Sequence, residues 1–372
     1  MRHLTTMASM SVEPTPISFA RGAPSLDIVD VDGLKAAADA AFTNDPARTF
    51  GYGTSVGYEP LREWIATSHG VGPEQVIVTN GSMQADAFLF EALVSRGDAV
   101  VVESPSYDRT LLSLKTQGAD LHALPLDADG VDTAAFAELL KGGVSPALAH
   151  IIPNFQNPAG YTLSAAKRAE LLSLAREHEF TIFEDDPYVE LRFSGERLPT
   201  MLSEAKGGEV VYASSFSKTV APGIRVGYLV GSADLISKIA ALATAAYISP
   251  NMVAQSIVYQ FIASGAYDRS IETVKKALSS RVDTLADALA EKLPQASFTK
   301  PEGGYFMWVT FPDDVDTDRL FAACAERGLA VVKGSDFLLD GAKNSLRLAY
   351  SAVGEDEIVE GVDRLAQAVN AL

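Results

Sequence analysis

Short apolar runs alternate with helical patterns along the first part of the chain. Residues 76–79, 99–103 and 181–183 have the apolar runs of buried strands, and residues 165–178 have the apolar spacing of a helix. Further strands are predicted at 120–124, 150–153, 209–212 and 226–230. Strands that alternate with helices favour a mostly parallel sheet with crossover helices. We therefore predict an α/β fold.

The pattern changes after residue 231. Residues 267–293 predict one helix that is long enough to bridge two domains, and residues 303–309 predict an alternating strand. Helices at 317–327 and 355–371 and strands at 330–333 and 345–350 follow. We predict a flexible arm at 1–16, a small α+β domain built from 17–45 and 275–372, and a large domain over 46–274.

Polar residues follow the apolar runs at several points of the predicted sheet. These points are Gly81, Tyr107, Asn157, Asp185 and Lys218. The carboxyl ends of parallel strands share one edge of a sheet, and ligands bind beyond that edge. We therefore expect these residues to converge on one site.

One of these clusters holds a lysine among hydroxyl groups. Lys218 follows Ser215 and Ser217, and Arg225 comes seven residues later, before the next apolar run. This setting is typical of a lysine that forms a Schiff base beside a bound phosphate. Taken alone, such a segment is more often a surface lysine in a loop.

A second cluster separates the strand at 76–79 from an apolar helix. The turn contains Gly81, Ser82 and Met83. Free N–H groups and the helix dipole favour phosphate binding at such a helix start. An ordinary N-cap by Ser82 is the alternative interpretation.

Composition limits the possible partners. The 372 residues carry 48 acidic and 30 basic side chains, so the net charge of -18 repels nucleic acid and anionic membranes. The single cysteine, Cys324, lies in an apolar helical pattern, and no apolar run nears the roughly 20 residues that span a bilayer. The five histidines lack the spacing of metal ligands. We expect a cytoplasmic protein without a metal, a nucleic-acid partner or a membrane partner.

The predicted site contains the groups needed to hold pyridoxal 5′-phosphate. Lys218 supplies an amine, and Asp185 supplies an acid that would keep a pyridine nitrogen protonated. Tyr107 could stack on a flat ring, and Asn157 and Tyr188 could hydrogen-bond a ring oxygen. Each of these residues also has a structural interpretation, as a turn residue or a core aromatic. Their order along one sheet edge favours the cofactor.

Further motifs cover the chain from about residue 17 to its end. They are Gly-Tyr-x-Pro-Leu-Arg at 57–62, Glu-Ser-Pro-x-Tyr at 103–107, Pro-Asn-Phe-Gln-Asn-Pro-x-Gly at 153–160, Glu-Asp-Asp-x-Tyr at 184–188, Ser-x-Ser-Lys at 215–218 and Pro-Glu-Gly-Gly at 301–304. With these motifs the chain resembles fold-type I pyridoxal-phosphate enzymes of the class I/II aminotransferase family. It is most similar to the branch of 2-aminoadipate and kynurenine aminotransferases and of the aminotransferase half of MocR-type regulators. The resemblance implies a three-layer α/β/α large domain and a smaller α+β domain.

The resemblance also implies roles for the site residues. The catalytic residues would be Lys218, which forms the Schiff base and shuttles a proton, Asp185, which pairs with the ring nitrogen, and Tyr107, which lies against the ring. The implied cofactor-binding residues are Gly81, Ser82, Met83, Tyr107, Asn157, Asp185, Tyr188, Ser215, Ser217, Lys218 and Arg225, with Tyr52 supplied by a partner subunit. Shared sites imply a homodimer.

Fewer residues are implied on the substrate side. Arg347 matches the arginine that holds the substrate α-carboxylate, a bidentate task, and Gly22 and Asn157 would line the same pocket. Arg347 alone could equally be a surface charge on a strand edge. Arg21 replaces the first glycine of a common pair, and it either faces solvent or binds a second anionic group. Lys333 replaces a common proline, which also bears on substrate choice.

The predicted function is transfer of an amino group from an L-amino acid to a 2-oxo acid, with 2-oxoglutarate as the expected acceptor. Elimination, replacement or carbon–carbon bond formation on the same fold is the alternative, because the cofactor carries the chemistry. A ligand-sensing regulator half is a third interpretation. The acidic composition and the short segment of about 16 residues before the resembling region disfavour it.

Overall fold

The computed structural model describes residues 15–341 and 344–372. The predicted arm at 1–16 lies outside the described residues except for its last two positions. The strands of the described chain are β1 (Ile17–Ser18), β2 (Val76–Thr79), β3 (Ala99–Ser104), β4 (Asp120–Asp127), β5 (Gly130–Val131), β6 (Pro146–Ile151), β7 (Thr181–Asp185), β8 (Val210–Ser215), β9 (Gly227–Val230), β10 (Ser297–Phe298), β11 (Phe306–Thr310), β12 (Leu329–Ala330), β13 (Val332–Lys333) and β14 (Ser345–Ala349). The α-helices are α1 (Val31–Asn44), α2 (Pro46–Phe50), α3 (Glu59–His69), α4 (Ser82–Leu93), α5 (Asp108–Gln117), α6 (Thr133–Lys141), α7 (Ala165–His178), α8 (Met201–Glu204), α9 (Ala233–Tyr247), α10 (Met252–Ala263), α11 (Ala266–Lys292), α12 (Thr317–Glu326) and α13 (Glu355–Val369).

The largest sheet of the described chain has the strand order β2-β9-β8-β7-β6-β3-β4-β5. Strand β9 runs antiparallel to β2 and β8, and β5 runs antiparallel to β4, whereas the other neighbours are parallel. Strands β2, β3, β6, β7 and β8 therefore end at the same edge. The predicted α/β class with a mostly parallel sheet is confirmed.

Helices cover both faces of this sheet. Successive side chains of a strand point to opposite faces, and β3 illustrates this: Val100 and Val102 pack with α4, α5 and α9, while Val101 packs with α6 and α7. On β2, Ile77 faces the first of these layers and Val78 faces α3 and α10. These buried layers make up the three-layer α/β/α arrangement.

A second core lies around an antiparallel sheet with the order β10-β11-β14-β13. Helices α11, α12 and α13 pack on it, and β1 pairs with β12 beside it. Helix α11 contributes to both cores, because Tyr267 and Ile271 belong to the core near α10 whereas Leu278 and Leu285 belong to the smaller one. Helix α1 packs against α10 rather than in the smaller core.

Two predicted boundaries differ from the structure near the site. Strand β8 continues to Ser215, so the hydroxyl residues predicted in a loop partly extend the strand. The strand predicted at 303–309 begins only at Phe306. Gly304 has a φ of 73°, and a Cβ on Gly303 would lie 2.3 Å from the Phe155 ring, so these glycines form a close turn.

The structure also adds helices α2 and α6, which the apolar spacing did not predict. Among the residues described, no helix has both the length and the apolar character required to cross a membrane.

Candidate active site

A cavity of about 490 Å³ opens at the edge where β2, β3, β6, β7 and β8 end. The predicted residues that line it are Gly22, Ser82, Met83, Tyr107, Asn157, Asp185, Tyr188, Ser215, Ser217, Lys218, Arg225 and Arg347. The expected convergence of the polar clusters is therefore confirmed. Its physical cause is the parallel direction of the strands, which brings their carboxyl ends together.

Lys218 enters the cavity from the loop that follows β8. Its Nζ donates a hydrogen bond to the carbonyl oxygen of Gly22 at 2.8 Å and lies 5.4 Å from the ring centroid of Tyr305. The Tyr305 hydroxyl donates to the carbonyl oxygen of Lys218 at 2.7 Å. The backbone and the amine of Lys218 are thus both held in place.

The surroundings of Lys218 favour its neutral form. Burial first, and then the positive charges of Arg347 and Arg225, lower the pKa of Lys218 to about 8, against the opposing effect of Asp185. Only an uncharged amine can act as a nucleophile or accept a proton. Lys218 therefore has a larger reactive fraction near neutral pH than an ordinary lysine has.

Arg225 and the start of α4 form the cationic part of the cavity. Arg225 Nη1 donates to Ser217 Oγ at 3.1 Å, and the Ser217 N–H donates to Ser215 Oγ at 3.1 Å. Gly81 caps α4 with a φ of 86°, and a Cβ there would lie 2.2 Å from Arg225 Nη2. The first N–H groups of a helix have no intrahelical acceptor, and Ser82 and Met83 at the start of α4 line the same cavity as Arg225.

Asp185 is buried at the end of β7 and is oriented by a histidine. Asp185 Oδ2 lies 3.2 Å from His150 Nε2, and the His150 side chain on the neighbouring strand β6 is fully buried. Sequence reasoning did not assign His150 to the site. Its position near the end of a strand adjacent to β7 was the available signal, but strand order is a property of the fold.

Arg347 projects from β14 into the cavity and is held on two sides. Its Nη1 donates to Asn157 Oδ1 at 3.0 Å, and its Nη2 donates to the carbonyl oxygen of Ala20 at 2.8 Å. The guanidinium carbon lies 4.3 Å from the ring centroid of Phe306 and 4.8 Å from that of Phe337. Arg347 Nε is buried and has no acceptor within the described residues. These contacts exclude the interpretation of Arg347 as a surface charge on a strand edge.

Two tyrosines complete the wall of the cavity. Tyr107 is the N-cap residue of α5, three residues after the end of β3, and Tyr188 is buried with its ring centroid 5.6 Å from that of Tyr305. Burial, helped by the negative charge of Asp108, raises the pKa of Tyr107 to about 12. Burial also raises the pKa of Tyr188 above its ordinary value. Both phenols therefore remain protonated and can donate hydrogen bonds.

Other motif residues support the site from behind. Glu103 Oε2 accepts a hydrogen bond from Gln156 Nε2 at 3.0 Å, and both carboxylate oxygens of Asp186 accept from Asn154 Nδ2, at 3.0 and 2.9 Å. Asn154 and Gln156 precede Asn157 in the loop after β6. These buried contacts fix the loop that presents Asn157 to Arg347.

Three predicted site residues lie outside the lining of this cavity. Gly81 borders it through its contact with Arg225. Arg21 is exposed, and Tyr52 is 91% exposed on a surface that it shares with Phe50 and Pro250. Within a single chain, neither Arg21 nor Tyr52 is brought to the site.

Sequence reasoning missed several residues that do line the cavity. They are Ala20, Asp86, Asp108, Arg109, Ile152, Pro187, Phe306, Val332, Asp336 and Phe337. Asp86 lies four residues after Ser82 on α4, a spacing that places both on one helix face. Lys333 instead forms an ion pair with Asp318 at 2.6 Å.

The donor set fits pyridoxal 5′-phosphate. A guanidinium, two hydroxyls and helix N–H groups suit a phosphate, a buried and oriented carboxylate suits a ring nitrogen, and a half-buried amine suits an aldehyde. The cavity volume also lies within the usual range of ligand sites. Together these features are typical of fold-type I pyridoxal-phosphate enzymes.

Comparison with known proteins agrees with this class. The sequence profile of "Aminotransferase class I and II" matches residues 15–365. Aromatic-amino-acid aminotransferase 1 of Thermococcus litoralis is 33% identical, over 95% of this chain and 88% of its own length. The crystal structure of the kynurenine aminotransferase of Pyrococcus horikoshii, in complex with PMP, has a TM-score of 0.92 and 32% identity over 96% of this chain and 91% of that one. The α-aminoadipate aminotransferase of Thermus thermophilus, complexed with N-(5′-phosphopyridoxyl)-L-leucine, has a TM-score of 0.91 and 31% identity over 96% and 92%.

The chain belongs to the class I and II aminotransferase family. It has the fold-type I architecture, and it is a pyridoxal-phosphate-dependent aminotransferase. The family resemblance, fold class and cofactor predicted from the sequence are confirmed.

Proposed function

We propose that this enzyme moves the amino group of an L-α-amino acid to 2-oxoglutarate. The observation that carries this proposal is the presence of Lys218 Nζ and the Arg347 guanidinium in one cavity. An amino acid offers an amine beside a carboxylate, and these two groups face it with a base and a bidentate cation. The free Nε of Arg347 adds a further donor for the carboxylate.

We also propose a role for each cofactor-binding residue. Ser215, Ser217, Arg225 and the N–H groups of Ser82 and Met83, beside Gly81, hold the phosphate. Asp185 bonds the ring nitrogen, and Tyr107 lies against the ring. Asn157 Oδ1 already accepts from Arg347, which leaves its Nδ2 to donate, together with the Tyr188 hydroxyl, to the ring oxygen. Gly22 and Asn157 border the substrate. Arg21 is exposed within one chain, so its binding of a second anionic group of the substrate would require contact with a second subunit.

Lys218 and Arg347 act on different groups of the substrate, the α-proton and the α-carboxylate. The bound cofactor supplies an aldehyde and an electron-withdrawing ring. Arg347 binds the α-carboxylate and thereby orients the α-carbon. The neutral Lys218 amine takes the proton from that carbon and holds it on Nζ. The ring walls of Phe306 and Phe337 restrict the room for water around the carboxylate.

A donor screen tests the proposed reaction. The purified enzyme with its cofactor is incubated with 2-oxoglutarate and each of a set of L-amino acids, including aromatic amino acids, kynurenine and 2-aminoadipate. We expect glutamate and the 2-oxo acid of one donor to form in equal amounts, because each transferred amino group converts one molecule of each substrate. Chromatography of both products gives this ratio.

The same screen examines the alternative chemistry. Ammonia release, or a substituted product without any glutamate, would contradict amino transfer and would favour elimination or replacement. Lys218→Ala protein serves as the blank for cofactor-independent reactions. Omission of 2-oxoglutarate should limit wild-type turnover to the amount of bound cofactor.

We further propose a homodimer with shared sites. Tyr52 is exposed next to the exposed Phe50, on a surface that also includes Pro250 and Val253. An exposed apolar surface of this kind is typical of an interface. If Tyr52 completes the phosphate site of the partner, mixing Lys218→Ala with Tyr52→Ala subunits gives each mixed dimer one intact site.

Activity of the mixed protein, measured against each variant alone, tests shared sites. Recovery well above both parents is the expected result, and sedimentation analysis should give the mass of a dimer. A monomer, or a mixture no more active than its parents, would contradict the proposal. Wild-type and Lys218→Ala subunits carrying different affinity tags are mixed in the same way, which controls for loss of activity during subunit exchange.

The two buried cores and the single cysteine bear on the domain division and the location of the protein. We propose the large and small domains around the two cores, with α1 assigned to the large domain because it packs on α10. We propose a cytoplasmic location because the single cysteine, Cys324, is buried as a free thiol.

A further inference from the structure

Asp86 is a buried acid in the cavity that the proposed reaction does not use. It lies on α4, one turn beyond Ser82, and its side chain is on the same helix face. The residue is 7% exposed, and it lines the cavity together with Tyr107 and Asp185. Asp86 therefore faces the space in which the cofactor is expected.

Asp86 differs from the other buried acids in the described chain. Asp185, Asp186, Glu103 and Glu184 all accept hydrogen bonds from protein groups. Asp86 Oδ1 is buried and has no hydrogen-bond partner among the described residues. A buried polar atom without a partner is costly, and a ligand group is one way to satisfy it.

The electrostatic surroundings of Asp86 disfavour its charged form. Burial, and then repulsion from Asp185 on β7, raise the pKa of Asp86 well above its ordinary value. Tyr107 at the start of α5 is also close, since Asp86 contributes to the raised pKa of its phenol. Without cofactor, these surroundings therefore favour the protonated form of the Asp86 carboxyl.

We propose that Asp86 is a second acid for the ring nitrogen of the cofactor, acting beside Asp185. It is protonated in the cofactor-free protein and releases that proton to solvent when the protonated ring nitrogen binds. The two carboxylates then enclose one positive charge, which favours the protonated ring more strongly than Asp185 alone does. This inference rests on the proposed placement of the ring nitrogen at Asp185.

The number of protons exchanged on cofactor binding tests this inference. Pyridoxal 5′-phosphate is titrated into cofactor-free protein by calorimetry in buffers of different ionisation enthalpy, at about pH 6, where an ordinary aspartate is already ionised. Wild-type protein should release up to about one proton more than Asp86→Asn protein. Proton exchange at Lys218 is common to both proteins and cancels in the difference.

Asp336→Asn provides the matched control. Asp336 also lines the cavity but is exposed, and its replacement should leave the proton count at the wild-type value. Equal counts for wild type and Asp86→Asn would overturn the inference while leaving the proposed function intact. Failure of all three proteins to bind the cofactor would instead contradict the proposed function.

Stability of the cofactor-free protein gives a second measurement. A carboxyl whose pKa is raised by folding stabilises the native state at low pH, and this contribution is lost as the pH rises through the folded pKa. Asp86→Asn should therefore become more stable relative to wild type as the pH rises. A difference that does not change with pH would also overturn the inference. Asp86→Ser gives the same comparisons if the asparagine variant does not fold.

Discussion

Replacement of Lys218 by alanine is expected to lower kcat for amino transfer by at least about a thousandfold. The amine that the structure keeps partly neutral would be lost, and no other amine lines the cavity in the described chain. Single-turnover rates with the best donor measure this effect. Borohydride reduction and mass spectrometry should find the cofactor attached to Lys218 in wild type and no attached cofactor in the variant.

Lys238→Ala is a matched control for this experiment. Lys238 is exposed, but its Nζ also donates to a backbone carbonyl, that of Ala92, and it lies on α9 outside the cavity. Its replacement should leave the turnover of the enzyme within about twofold of wild type, as for surface changes of small energetic effect. A Lys218→Ala enzyme with near-normal turnover would show that another group moves the α-proton.

Replacement of Arg347 by lysine is expected to reduce kcat/KM for amino acids by about 30- to 150-fold, or about 2–3 kcal/mol. Lysine keeps the positive charge but has neither the planar pair of donors for a carboxylate nor the stacking between Phe306 and Phe337. Loss of the hydrogen bond to Asn157 Oδ1 adds to the effect. Initial rates over a range of amino-acid concentrations separate KM from kcat, and most of the change should appear in KM.

Two comparisons make the Arg347 experiment specific. Arg192 also lies over an aromatic ring, with its guanidinium carbon 4.7 Å from the Phe155 centroid, and pairs with Glu302 outside the cavity. Arg192→Lys should therefore retain wild-type kinetics. A primary amine without a carboxylate should react equally slowly with wild type and Arg347→Lys. An equal loss for that amine would contradict carboxylate binding by Arg347.

Secondary structure near the cavity was predictable where a local pattern, an apolar run or a helical spacing of apolar residues, specifies it. The apolar run at Val76–Thr79 and the periodic helix at Ala165–His178 agree with the structure at both ends. Prediction was wrong where packing between distant segments decides. The turn at Gly303 and Gly304 exists because the chain passes the Phe155 ring, which no local pattern contains.

The site residues that follow from a local pattern were predicted, and those that depend on tertiary contacts were missed. Lys218, Asp185 and Asn157 were predictable because each lies at the end of a strand of a parallel sheet or in the loop after it, and such positions converge. His150 and Asp86 were missed because their relevance depends on contact with Asp185 from a neighbouring strand and on the direction of a helix face. Arg21 was a candidate because of its place in a motif, but it is exposed within one chain, and no local pattern predicts that exposure.

Local patterns in the sequence were enough to predict most of the strands and helices, the polar residues near the strand ends and the motifs that identify the family and its cofactor. These are local properties of the chain, and short apolar runs and fixed spacings express them directly. Tertiary packing, and no local pattern, explains why Arg347, more than a hundred residues beyond Lys218, bonds Asn157 and shares the cavity with the lysine. The same packing lowers the pKa of Lys218 and leaves Asp86 Oδ1 without a hydrogen-bond partner among the described residues. Burial and close charges of this kind arise only when distant segments pack together.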